Sequence, residues 1–182
     1  MLFRSKVHKA NTFYEYFDGQ AGPRSGYYSY DLGAWHMVVL NTNCSSVEGG
    51  CGPESQQVAW LSEDLANAGD RCVLAYGHHP RWSNGIAGPE PGIGALFEVL
   101  ADNHVALYLS GHEAHYERYA PMNGLGRPDP TGTVQMVVGT GGQSVYTPAL
   151  EDAPWRQKAD PDRKSTRLNS SHSQQSRMPS SA

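Results

Sequence analysis

Two apolar runs in this chain end in the same way. Arg71-Cys-Val-Leu-Ala-Tyr76 stops at Gly77 and is followed by His78-His79-Pro80; Val105 to Leu109 stops at Ser110-Gly111 and is followed by His112. A short continuous apolar run suits a strand buried on both faces, as in a parallel sheet. In open α/β sheets ligands bind outside the carboxyl ends of such strands. Two strands that each finish in Gly-His therefore bring imidazoles to one sheet margin, and imidazole is a common ligand of zinc, iron and nickel. That single repetition narrows the fold to an α/β domain with a histidine site at its strand ends.

The remaining segments fit this frame. Tyr27 to Leu32 and Trp35 to Asn41 read as two strands, and the Gly33-Ala34 pair between them suits a type II′ hairpin. Met37 to Leu40 is apolar on both faces, which predicts a central strand. A helix is expected from Pro53, since proline favours the first helical position. Val58, Leu61 and Leu65 lie on one helical face, and Gly69 falls where a cap is expected. Ile93, Leu96, Phe97 and Leu100 define a second helical face, and Val134 to Val138 a further strand ending in Gly139-Thr-Gly-Gly142. Alternating strands and helices argue for an α/β domain.

Three ordered stretches carry a family resemblance: Gly77-His-His-Pro80, Ser110-Gly-His-Glu-Ala-His-Tyr-Glu-Arg118 and Val137-Val-Gly-Thr-Gly-Gly142. They resemble the C-terminal half of calcineurin-like metallophosphoesterases, in the purple-acid-phosphatase-like branch, and the hairpin Gly26 to Asn41 fits that branch too. The resemblance runs from about Tyr14 to about Tyr146. It implies a β-sandwich flanked by helices, a phosphate ester substrate, and two Fe, Zn or Mn ions in the parent protein. It also implies that His78 and His112 ligate one of those ions. The family's second histidine in the Gly-His-x-His motif falls on Ala114, which cannot ligate; His115 stands next to it as a candidate replacement. The family's Asp-based and Gly-Asn-His motifs would lie upstream of Tyr14. Residues 1–161 then read as a partial phosphoesterase domain, inactive alone. The alternatives are a non-catalytic binding member of the family, or a mononuclear metallohydrolase using His78, His112 and His115.

Other residues read more plainly. His79 either contacts a substrate phosphate or packs, with packing favoured. Glu117 and Arg118 are expected to pair with each other. Trp82, Tyr108 and Tyr116 read as packing residues, and His8, His36 and His104 as structural or surface residues. Residues 162–182 are almost devoid of apolar side chains; they read as a disordered Ser-rich tail that resembles the translation of a sequencing-library adapter. Without that tail, residues 1–161 hold 10 basic and 17 acidic side chains, a net charge of −7. No basic patch argues for nucleic acid, and no apolar run has the length of a membrane span. Cys44 and Cys51 flank a short loop and are either a disulfide or two free thiols; a disulfide would place the protein in an extracytoplasmic or secreted setting.

Overall fold

The computed structural model describes residues 11–17, 22–141 and 155–160. The chain order is α1 (Asn11–Phe17), β1 (Tyr28–Leu32), β2 (Trp35–Val39), α2 (Gln56–Ala66), β3 (Cys72–Tyr76), α3 (Gly94–Asp102), β4 (Leu107–Ser110), β5 (Tyr116–Met122), β6 (Thr133–Val138) and β7 (Arg156–Asp160). The strands form one mixed sheet in the order β1-β2-β3-β4-β6-β5-β7. Strands β2, β3, β4 and β6 are parallel and the edge strand β7 runs in their direction, while β1 and β5 run against them. The α/β class follows directly, and a single sheet of this kind suits half of a sandwich.

The β1–β2 hairpin turns at Gly33, whose φ of 60° is the left-handed value a type II′ turn requires. The two crossovers, β2–α2–β3 and β3–α3–β4, both step in the same direction along the sheet. Right-handed connections then place both helices on the same face. Val58, Leu61 and Leu65 of α2, and Leu96, Phe97 and Leu100 of α3, meet Val38, Leu40, Ala75 and Tyr108 of the sheet in one core. Each valine, leucine or phenylalanine side chain taken out of water there contributes roughly 1.5–3 kcal/mol.

Helix α2 begins later than the proline suggests. Ser55 is its N-cap, with its hydroxyl accepting the Val58 N–H at 3.3 Å, so Pro53 and Glu54 belong to the preceding turn. Side-chain capping of a bare N–H outweighs the proline preference. Gly69 does adopt a left-handed φ of 65°, two residues beyond the C-cap Asn67. Tyr14 to Phe17 lie on the short helix α1, and β5 and β7 are strands that the apolar pattern does not announce. Residues 162–182, Gly142 to Tyr146 and His8 lie outside the described residues.

Candidate metal centre

Strand register builds the site. β3 and β4 pair with Tyr76 opposite Leu109, so the two Gly-His segments emerge side by side. Backbone hydrogen bonds continue past the strand ends: Gly77 N–H donates to Leu109 O at 3.0 Å, and Gly111 N–H donates to His78 O at 3.1 Å. His112 then adopts φ 65°, an uncommon value for a residue with a Cβ. Its ring turns back toward His78, and His112 Nδ1 lies 3.0 Å from His78 Nε2. His79 completes the group: its ring centroid is 4.6 Å from that of His112 and 4.7 Å from that of His78. One ring nitrogen from each of the three lies within 4.8 Å of the others, and all three residues are half-buried. The sequence singled out His78 and His112 by their glycines. It favoured packing for His79, and the structure brings that residue into the same cluster.

Three buried residues brace this edge. Thr42, just beyond β2, directs its hydroxyl at the histidine segment: Oγ1 accepts the His78 N–H at 3.1 Å and the His79 N–H at 3.0 Å, and lies 3.0 Å from His79 Nδ1. The fully buried Gln57 amide holds the neighbouring Asn41 backbone from both sides, at 2.8 Å and 3.0 Å. The following loop is closed by a Cys44–Cys51 disulfide. Tyr108, at 1% exposure, donates its hydroxyl to His79 O at 2.7 Å. Burial drives the Tyr108 phenol far above its ordinary range, so it stays a neutral donor. Thr42 carries no sequence signal of its own, because its partners lie 36 and 37 residues away.

The segment from His112 into β5 runs over the end of β6, because β6 lies between β4 and β5 in the sheet. Gly139, directly after β6, passes beneath it. A Cβ there would overlap the Glu113 carbonyl, which is why glycine occupies the position. A residue without a Cβ permits this close backbone approach.

Glu113, His115, Glu117 and Tyr119 alternate along this segment, and all are buried. They face the loop of residues 81–92, not the histidine cluster. His115 lies there with Nε2 3.5 Å from Glu117 Oε2, and Ala114 is buried beside it. Glu117 accepts the Ser83 hydroxyl at 2.7 Å and the Asn84 N–H at 3.2 Å, and pairs with Arg156 at 3.1 Å. Burial pushes its carboxyl up, but the His115, Ser83, Arg156 and Asn84 contacts outweigh burial and hold it below the usual range. Glu113 accepts the Gly88 N–H at 2.7 Å, and there burial prevails and raises the carboxyl. The expected Glu117–Arg118 pair does not form: neighbours on a strand point to opposite faces, and Arg118 is exposed.

A different histidine also gained partners the sequence did not show. His36 Nδ1–H donates to Asp31 at 2.8 Å and Nε2–H to Asp64 at 2.9 Å. His104, read as structural, contacts the Thr131 carbonyl from its Nδ1 at 3.1 Å.

No protein-family profile matches the chain. It is 31% identical over 150 residues to an Arabidopsis thaliana protein described as a probable inactive purple acid phosphatase, covering 73% of this chain and 22% of that one. It is 33% identical over 125 residues to Arabidopsis purple acid phosphatase 23, covering 64% of this chain and 25% of the relative. Pig tartrate-resistant acid phosphatase type 5 is 37% identical over 71 residues, covering 38% and 21%. Among solved structures, a purple acid phosphatase from yellow lupin seeds superposes with a TM-score of 0.66 at 21% identity, covering 78% of this chain and 28% of that one. The PhoD structure gives 0.56 at 13% identity, covering 84% and 39%. The chain thus spans about a quarter of the length of the curated relatives it matches.

Proposed function

Because this chain belongs to the purple-acid-phosphatase-like branch of the calcineurin-like metallophosphoesterases, we propose that it carries the histidine part of a centre that hydrolyses phosphate esters with divalent or trivalent metal ions. The supporting observation is the 3.0 Å between His78 Nε2 and His112 Nδ1. Metal–imidazole bonds are about 2.0–2.1 Å long, so two ligands about 90° apart on one ion leave their nitrogens about 3 Å apart. The spacing of the pair supports their sharing one ion. A bound ion would supply Lewis acidity and a hydroxide nucleophile near neutral pH. His78 and His112 would hold it, and both residues are half-buried.

The parent centre is dinuclear in this reading, with Fe, Zn or Mn as its ions. Among the described residues the cluster offers imidazoles alone and no bridging carboxylate. Two neutral ligands hold a divalent ion weakly, so the isolated chain binds metal without turnover. The test is zinc and manganese binding by the purified chain, together with an assay on a chromogenic phosphomonoester. The expected result is binding that disappears in His78→Ala and in His112→Ala, with no hydrolysis. Robust metal-dependent hydrolysis by this chain would overturn the two-imidazole reading. The Cys44–Cys51 disulfide supports an extracytoplasmic or secreted setting.

A second reading rests on Ala114, which stands where the family's other histidine would be: a non-catalytic member that binds a ligand through the same edge. The mononuclear version needs His115 to join His78 and His112. Metal binding that is unchanged in His115→Ala would remove that version, and the position of His115 beside Glu117 supports this outcome.

A further inference from the structure

We propose that His79 is the hydrogen-bond donor of this cluster to a phosphate oxygen, its proton fixed on Nε2 by Thr42, and not a third metal ligand. This rests on the metallophosphoesterase reading above and assigns a separate role within it.

Protons and lone pairs at one hydroxyl fix the tautomer. A threonine oxygen has two lone pairs and one proton. Both lone pairs of Thr42 Oγ1 are taken, by the His78 and His79 backbone N–H groups at 3.1 Å and 3.0 Å. The remaining neighbour is His79 Nδ1 at 3.0 Å. The hydroxyl proton therefore points at Nδ1, and Nδ1 accepts it. A neutral imidazole carries one proton, so that proton is on Nε2. A nitrogen that bears a proton has no lone pair for a cation. Ligation through Nε2 would require an imidazolate or the loss of the Thr42 bond.

The same contacts give the ring a fixed aim. Thr42 is buried at 3% exposure, and Gln57 braces the residue before it. The His79 carbonyl is held by Tyr108 at 2.7 Å. His79 thus enters the cluster as a preset donor beside the His78–His112 pair, 4.6 Å and 4.7 Å away between ring centroids. A donor fixed beforehand beside a site of developing negative charge is the arrangement that stabilises a phosphoryl oxygen without reorganisation. The ligand class is a tetrahedral oxyanion, phosphate or a phosphate monoester. Thr42 is a positioning residue that acts through His79.

The test uses the full chain, zinc and inorganic phosphate. Long-range nitrogen–proton NMR on the metal-free wild type should show His79 with a bare Nδ1 and a protonated Nε2, and Thr42→Val should abolish that fixed tautomer. Zinc affinity should stay within about three-fold in His79→Gln and His79→Leu, while His78→Ala loses it. Phosphate affinity of the zinc-loaded chain should fall roughly ten-fold or more in His79→Leu, the scale of one hydrogen bond to a charged group. His79→Gln, which keeps a donor, should recover much of it. A protonated Nδ1 in the wild type, or a loss of zinc in His79→Leu equal to that in His78→Ala, overturns the proposal. So does phosphate affinity that is equal in wild type and His79→Leu. If the wild type fails to bind zinc at all, the metal reading fails on its own, and the tautomer still decides the state of His79.

Discussion

Histidines occupy both edges of this sheet, and their neighbours give them opposite chemistry. At the start of β2, His36 sits between Asp31 of β1 and Asp64 of α2, with Arg71 3.5 Å from Asp31. Ionised carboxylates only accept, so both ring nitrogens of His36 must carry protons, and the ring is a cation. At the far ends of β3 and β4, His78 and His112 face each other at 3.0 Å. Two nitrogens at that distance hold one proton between them or share one ion. The first edge uses imidazole as a charged rivet between two strands and a helix. The second presents it as a lone-pair donor. Residue type alone decides neither; the company does.

Four substitutions or titrations test this contrast. The largest effect is expected at Glu117, the acidic hub that holds the loop of residues 81–92. Glu117→Ala leaves Arg156 without its buried carboxylate and releases Ser83 and Asn84, at a cost of about 3–5 kcal/mol in chemical denaturation. Next, His78→Ala should lower zinc affinity by at least about 100-fold, beyond the range seen when only a supporting contact is lost, while barely moving the unfolding midpoint. His36→Ala should do the reverse: about 1.5–3 kcal/mol of stability lost with two charge-assisted bonds, and zinc affinity unchanged. Equal effects on both quantities in both variants would erase the distinction between the edges.

The smallest effect is the pH response. For His36, burial lowers the imidazole, but hydrogen bonds and charge from Asp31 and Asp64 prevail and raise it. A raised folded value means the contribution is full below the unfolded value of about 6.5. It is lost as pH rises through the folded value. Glu117 is depressed, so its contribution is present above about 4.3 and lost as pH falls through the folded value. Glu113 is raised and opposes Glu117, which makes the acid limb shallower. The melting temperature should therefore be highest in mildly acid solution. His36→Ala should flatten the alkaline side of that profile, and Glu117→Gln the acid side. An unchanged alkaline side in His36→Ala would show that His36 is not charged.

The inner strands are readable as short apolar runs, and both helix faces by their helical period. The paired Gly-His endings made His78 and His112 readable for the same reason: each follows its own strand. What escaped depends on distant partners. β5 and β7 mix charged and apolar residues, since β5 lines a polar loop and β7 is an edge strand, so neither has a clean period. His36 looked solitary because Asp64 lies 28 residues away, and Arg118 looked paired with Glu117 only because the two are adjacent. His79 needed Thr42, 37 residues upstream, before its orientation had a cause.

One methyl group's worth of space at position 139 governs more than its own turn. The strap that carries His112 rests directly on that glycine. An alanine there would lift the strap, and with it His112, away from His78, so the injury would surface at an imidazole 27 positions earlier in the chain while β6 itself stayed intact. Screens for lost metal binding should therefore recover position 139 beside the histidines themselves.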